Sequence, residues 1–518
     1  MMMMPTMMNM KPSSASVSKG ALRRTGSPSS RVAVRTRAAP PPTQGTWDED
    51  SLSSETEINM LQAMLAKAVQ RKELELNAPA DADANGANGS NGYSGPSFTV
   101  KTFNAISPVG LDRFPKGKYS VAGNDDALPD SPMAIMLRSH KLQNDEVAST
   151  VRCIVRCGAG TNNIPVSEMT ERGIPVFNTP GANANAVKEL VLCALFLAAR
   201  GIVEGIAHTK DVINVEEKGD YTAISKRIEA DKKMFVGSEL TGKTLGIIGL
   251  GHIGGKVVEA ALALGMKVVG YDPVLNVESA LRLPGDRMQR VNTLDEVWAQ
   301  CDYVSLHVPY IPDITHHLIN ADTLAKSKRN LCILNFARGE IVDGAALKSA
   351  WDSGAITGKY MSDFADPYLL GQDKHIVMPH LGASTAEAED NSAAMAADTV
   401  MNYLETGSIV NSVNFPHCEL PVAENGYRIS IAHKNSTGVL GEITTYLGGK
   451  SFNITQQLNV SRGDIAYTVL DLDSDPKDPE DIQSGLFDAC DAILSMRFLG
   501  HPFDNKFGAP GTFFYTRN

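Results

Sequence analysis

The chain has 518 residues with 48 basic and 59 acidic side chains, a net charge of -11, and 43% apolar residue types. This length exceeds one ordinary core and implies roughly two to four domains, while the acidic balance argues against a nucleic-acid partner. The seven cysteines stand singly, the closest pair being Cys153 and Cys157, so neither a metal site nor a disulfide framework is expected.

Residues 1–40 are set apart by composition. They carry Arg23, Arg24, Arg31, Arg35 and Arg37, are rich in Ser, Met, Ala and Pro, and no acid precedes Asp48. This is the composition of a transit peptide, with a cleavage point near Ala38 or Ala39; a basic tail without a targeting role is the other reading. The Ser and Pro content favours the plastid stroma, with the mitochondrial matrix as the alternative. Within 41–97, Ser54 and Glu57 form a capping box, and Ile58, Leu61, Leu65, Ala68 and Val69 share one face of a helix predicted over 54–76. That helix serves either for docking or for packing on its own domain. The Gly, Asn and Ala run at 78–97 reads as a flexible linker.

From "FTVKTFNAI" onward strands and helices alternate: "AIMLRS", "VRCIVRCGAG" and "IPVFNTPG" read as strands, and "NANAVKELVLCALFLAARGI" as a long helix. The apolar run Leu190–Ala199 within it is too short to cross a bilayer, so no membrane partner is expected. Further strands follow at "TLGIIGL", "KVVGYDP", "CDYVSLHVP", "LCILNFARGE", "GKYMSDFADP" and "KHIVMPHLG". The pattern predicts an α/β fold with parallel sheets and crossover helices. After 425 the order changes to βαββαβ, the ferredoxin-like arrangement.

"GLGHIG" places Gly249, Gly251 and Gly254 between a strand and a helix, and the next strand ends at Asp272. In that setting the three glycines fit a dinucleotide loop. Gly249 allows the tight turn, Gly251 the approach of a pyrophosphate, and Gly254 close helix packing. The helix N-terminus stabilises phosphate charge. Asp272 accepts hydrogen bonds from ribose hydroxyls and repels a 2'-phosphate, which favours NAD over NADP.

In "ILNFARGEIVDG" an apolar strand ends at Asn335 and Arg338 follows directly, a permanent cation where the chain leaves the core. With "MPHLGAST", "VSLHVPYIPDITHHLIN" and the glycine loop, it makes residues 98–415 resemble the D-2-hydroxyacid dehydrogenases. The resemblance implies that Arg338 grips the substrate and His380 is the acid–base group. It also implies cofactor contacts at His252, Ile253, Val308, Pro309, Ala337, Arg338 and Gly382. Chemistry supports these residue types: oxidising a secondary alcohol requires a proton acceptor with a pKa near working pH, and arginine holds a carboxylate bidentately where lysine cannot. The family pairs its histidine with a Glu in a "DxFxxEP" segment. Here the segment is the shorter "SDFADP", with Asp366 the best match and Asp363 a rival. "GAGTNN" corresponds to a cradle for the substrate carboxylate, with Gly158, Ala159, Gly160 and Asn162. "LRSHK" adds Arg138, Ser139 and Lys141, a cluster suited to a phosphate, although a solvated charged turn would look the same.

The C-terminal "HKNSTGVLGEI" resembles the first turn of an ACT regulatory domain, with Thr437 in place of a proline. By that resemblance His433, Asn435 and Asn453 hold an amino-acid effector, L-serine in several members. The combination of modules, with "SPVGLDRFP" and "PHLGASTAEAEDNSA", implies 3-phospho-D-glycerate as substrate, oxidised to 3-phosphohydroxypyruvate at the opening of serine synthesis, in a homodimer or homotetramer. Alternatives are a hydroxypyruvate or glyoxylate reductase of the same family and a dinucleotide-sensing binding protein on the same fold. The expected architecture is two Rossmann-like, doubly wound domains and a ferredoxin-like module. Residues 98–179 and 383–424 form the substrate domain, 180–382 the NAD domain, 425–501 the ACT domain and 502–518 a tail.

Overall fold

The structure, a computed structural model, describes residues 98–421, 427–499 and 514–516, apart from positions 124, 125, 127, 129 and 130. The expected leader, the helix at 54–76, the linker and most of the tail lie outside the described residues.

The first sheet is built from β1 (Phe98–Phe103), β2 (Tyr119–Ala122), β3 (Ala134–Leu137), β4 (Cys153–Arg156) and β5 (Val176–Phe177). Its order is β2-β1-β3-β4-β5 and every pair is parallel. The second sheet comprises β6 (Thr244–Ile248), β7 (Lys267–Tyr271), β8 (Gln289–Arg290), β9 (Tyr303–Leu306), β10 (Cys332–Asn335), β11 (Tyr360–Ser362) and β12 (His375–Val377). Its order, β12-β11-β10-β9-β6-β7-β8, reverses direction between β6 and β9, the switch point beside which doubly wound sheets bind ligands. The central strands β3, β9 and β10 are buried at every residue. Continuous apolar runs of this kind belong to parallel strands covered on both faces.

The chain passes between these layers twice. The helix Ala184–Ala199 packs Val187, Val191, Ala194 and Leu195 into the core of the second sheet. The helix Ala386–Thr406 returns and packs Ala393, Ala397, Val400 and Tyr403 into the core of the first. No single helix among the described residues is long and apolar enough to cross a membrane.

The third sheet is antiparallel: β13 (Tyr427–Lys434), β14 (Ile454–Arg462), β15 (Ile465–Leu472) and β16 (Ile493–Leu499), with helices Val439–Gly449 and Pro479–Ala489 between them. The order β14-β15-β13-β16 is that of the ferredoxin-like βαββαβ unit. A short strand from the tail, β17 (Phe514–Thr516), pairs with the outer edge of β16. The unit is fastened to the first layer by buried polar groups. Arg497 donates to the carbonyls of Tyr403 (3.0 Å) and Leu404 (2.7 Å), the last turn of the return helix, and lies 4.5 Å over the Tyr403 ring. A cation there also offsets the negative end of the helix dipole. Arg428 pairs with Asp471 at 2.7 and 2.8 Å, both side chains at most 2% exposed, and donates to the carbonyls of Thr406, Leu420 and Pro421.

Removing one partner of a buried ion pair leaves the other charge uncompensated. Asp471→Ala is therefore expected to lower the unfolding free energy by about 3–5 kcal/mol, measured by urea denaturation.

Candidate active site

All the candidate catalytic side chains leave the carboxyl ends of strands. Beyond β10 the turn is shaped by Asn335, which is fully buried. Its amide donates to the Arg338 carbonyl (2.8 Å) and to the Tyr360 hydroxyl (3.1 Å), and its oxygen accepts from the Ala337 N–H (3.2 Å). A buried amide thus satisfies the backbone that turns out of the core and points Arg338 away from it. Arg338 crosses to the other layer: a Cβ added to Gly160 would lie 2.8 Å from its Nη2.

On the facing side Arg138 follows β3 and Arg156 ends β4. Arg138 pairs with Glu389 of the return helix at 2.5 Å. Arg156 donates through Nε to the Arg138 carbonyl at 3.1 Å. Burial lowers its pKa, as do the nearby cations Arg338 and Arg138. Gly158 adopts φ +150°, and a Cβ there would come within 2.5 Å of the Arg156 guanidinium, so only glycine lets this loop fold over it. These groups, with Ser139, Ala159, Gly160, Asn162 and His380, line one cavity of about 500 Å³ between the two layers. Lys141 does not line it. Arg156 was missed in the sequence. Its signal was available, since it is a cation at a strand end before a glycine-rich turn, the same pattern that singled out Arg338.

His380 lies just beyond β12 in the left-handed region, φ +57°. A residue with a Cβ is held there at a cost of about 1–3 kcal/mol. Two bonds impose it: the His380 N–H donates to Met378 (2.9 Å), and the Gly382 N–H donates to the Asp363 carboxylate (2.7 Å). Asp363 is buried, and its other oxygen has no partner among the described residues. The Phe364 ring meets His380 edge-on at 5.2 Å. Asp366 is elsewhere. It accepts from the Tyr368 N–H (2.8 Å), crowds Gly344, and lines a neighbouring cavity with His316 and His317.

The glycine loop has the geometry a dinucleotide needs. Gly249 has φ +94°, and a Cβ there would lie 2.4 Å from the His307 carbonyl oxygen; a Cβ on Gly254 would lie 2.0 Å from the Gly249 carbonyl oxygen. At Gly251 an added Cβ meets nothing within 4 Å, so the space before the helix N-terminus is open. Asp272, just past β7, accepts from the N–H groups of Leu250 and Val274, both at 2.9 Å, which fixes its charge at the strand tip. Ile253 is half-buried against the core of the second sheet, and His252 lies against Gly181. Val308 and Pro309 follow His307, which shares a hydrogen bond with Ser305 (2.8 Å). Burial pushes the His307 pKa down to about 4, so this imidazole stays neutral at physiological pH.

The three expected effector residues do not converge within one chain. His433 is 3% exposed and shares a hydrogen bond with Thr468 at 2.9 Å. Asn435 follows the end of β13 and donates to the Gly463 carbonyl (2.9 Å), whereas Asn453 precedes β14. The register β13–β15–β14 puts those two at opposite ends of the sheet, roughly 25 Å apart at the rise of a β-strand.

Comparison with known proteins matches residues 206–382 to the family of the D-isomer specific 2-hydroxyacid dehydrogenase, NAD binding domain. The D-3-phosphoglycerate dehydrogenase of Haemophilus influenzae is 33% identical over 359 residues, 67% of this chain and 82% of that protein. The D-3-phosphoglycerate dehydrogenase of Escherichia coli is 32% identical over 373 residues, 69% of this chain and 84% of that protein. Among solved structures, the D-mandelate dehydrogenase of Rhodotorula graminis shares the fold with a TM-score of 0.51 at 22% identity, covering 63% of this chain and 100% of that one.

The two glycines predict separable defects. Gly251→Ala is expected to keep the wild-type melting temperature and weaken NAD binding by about 1–3 kcal/mol, the usual cost of overpacking. Gly254→Ala, whose Cβ would strike backbone, is expected to lower the melting temperature as well. Calorimetric NAD titration beside thermal melts checks both.

Proposed function

The chain belongs to the D-isomer specific 2-hydroxyacid dehydrogenases, and we propose that it oxidises 3-phospho-D-glycerate to 3-phosphohydroxypyruvate, with NAD as cofactor. The observation that carries this reading is the meeting of Arg138, Arg156 and Arg338 with His380 in one cavity. A simple 2-hydroxy acid brings one carboxylate, which Arg338 and the Gly158–Gly160 turn suffice to hold. Two further guanidinium groups, only one of them bonded to an acid, suit a second and more highly charged anion such as a phosphate. The glycine loop, the carboxylate of Asp272 at the strand tip and the neutral imidazole of His307 fit NAD, which when bound supplies the hydride acceptor. His380 takes the proton of the substrate hydroxyl as the C2 hydride leaves. Arg338 orients the carboxylate and polarises the developing carbonyl oxygen.

The same reading extends to control and location. The βαββαβ unit is an ACT-type module that holds an amino acid such as L-serine between two copies of the chain. The separation of Asn435 from Asn453 supports a shared site, because a two-fold pairing would bring Asn435 of one module to Asn453 of the next. This makes the protein an oligomer, a homodimer or homotetramer. The arginine- and serine-rich leader supports import into plastids, with mitochondria as the alternative.

Two outcomes are expected. Measured as NADH formation, Arg156→Ala loses about 1.5–3 kcal/mol in kcat/KM for 3-phosphoglycerate, the scale of one charged hydrogen bond, and little for unphosphorylated D-glycerate. An equal loss on both substrates would assign Arg156 a structural role. Calorimetry of L-serine shows heat with the wild type and none with Asn453→Ala; serine binding unchanged in that variant would remove the shared site.

A further inference from the structure

We infer that Glu340 is the carboxylate that positions His380. The inference rests on the dehydrogenase reading above. When His380 takes the substrate proton it becomes a cation inside a cavity that already holds Arg138, Arg156 and Arg338. Like charges disfavour that state, so a carboxylate facing the same space is needed to stabilise it.

The side chains that surround the cavity leave few choices. Two acids line it, Glu340 and Glu389. Glu389 is held by Arg138 at 2.5 Å. Asp363 is buried, accepts from the Gly382 N–H through one oxygen, and does not line the cavity, so it shapes the backbone of the loop. Asp366, which the shortened segment "SDFADP" would offer, folds back onto the Tyr368 N–H and does not face the cavity.

Glu340 has the right placement. It sits in the short turn Gly339–Ile341 directly after Arg338. A Cβ added to Gly339 would be 3.2 Å from the Phe364 Cβ, and the Phe364 ring in turn meets His380 edge-on at 5.2 Å, so the turn, the ring and the imidazole are contiguous. The backbone of Glu340 is pinned, its carbonyl accepting from the His317 N–H at 3.0 Å. Its carboxylate is exposed and has no hydrogen bond or ion pair to another described residue. One turn thus supplies both an arginine and an acid unpaired among the described residues to the cavity that His380 lines.

The test uses the full-length protein with NAD and 3-phosphoglycerate. The pH profile of kcat is measured for the wild type, Glu340→Gln, Glu340→Asp and Asp366→Asn, with NAD affinity and melting temperature as controls. Glu340→Gln is expected to lower kcat roughly 100-fold, the scale of impaired acid–base catalysis. It should displace the acid limb of the profile while KM for 3-phosphoglycerate, NAD affinity and melting temperature hold, and Glu340→Asp should recover part of the loss. A wild-type profile in Glu340→Gln overturns the inference, as does a displacement found in Asp366→Asn alone. A wild type that turns over no 3-phosphoglycerate would instead overturn the functional reading on which the inference stands.

Discussion

Three guanidinium groups facing one cavity repel one another, and the site is organised around that repulsion. Arg138 is partly neutralised by Glu389. Arg156 is not; burial and its two cationic neighbours lower its pKa. The arrangement holds because the groups are anchored in different layers. Arg138 and Arg156 stand at strand ends of the first sheet, and Arg338 is set by Asn335 on the second. An anion between them exchanges repulsion for attraction on both sides at once. The cavity as a whole is therefore complementary to a ligand with a negative charge at each end.

The residues that shape the cavity are those that break local rules. Asn335 is a fully buried amide at a strand end, Asp363 a buried carboxylate with one oxygen unpartnered, and His380 a non-glycine residue at positive φ. Each would be a defect in a structural strand. Together they form one arrangement: Asn335 turns the chain so that Arg338 leaves the core, and Asp363 grips the loop so that His380 leaves it beside the arginine. Strain and buried polarity concentrate where the surrounding packing over-determines the backbone.

Most of this architecture is legible in the sequence because parallel strands covered on both faces write themselves as unbroken apolar runs, and the glycine loop is a local motif. Arg338 is legible for a related reason, as a permanent cation directly after such a run, and His380 through the resemblance of its segment to the dehydrogenases. What sequence does not carry is the course of short loops. Asp366 follows the dehydrogenase pattern by order along the chain, yet the missing residue in its segment takes it out of the cavity and into a cap on Tyr368. Glu340 carries no signal of its own, because nothing local separates it from any exposed acid. Arg156 reads in the sequence as one residue of a strand. The resemblance names the effector residues but not their spacing, and antiparallel register puts Asn435 and Asn453 at opposite ends of the sheet.

The return helix Ala386–Thr406 joins the remaining parts. Its 21 residues span roughly 30 Å at the α-helical rise. Near its N-terminus Glu389 binds Arg138, Asp390 accepts from Ser107 at 2.5 Å, and Ser392 faces the cavity. At its C-terminus the carbonyls of Tyr403 and Leu404 are held by Arg497, and that of Thr406 by Arg428, both from the βαββαβ unit. The Tyr467 hydroxyl adds a bond to the Gly407 carbonyl at 2.9 Å. The unit is thus fastened to the far end of the element that pairs with a cavity-lining arginine. The connection is one rigid helix with buried, charge-assisted bonds at one end and an ion pair at the other. One helix thus carries, at its two ends, the ion pair to an arginine of the cavity and the anchor points of the βαββαβ unit.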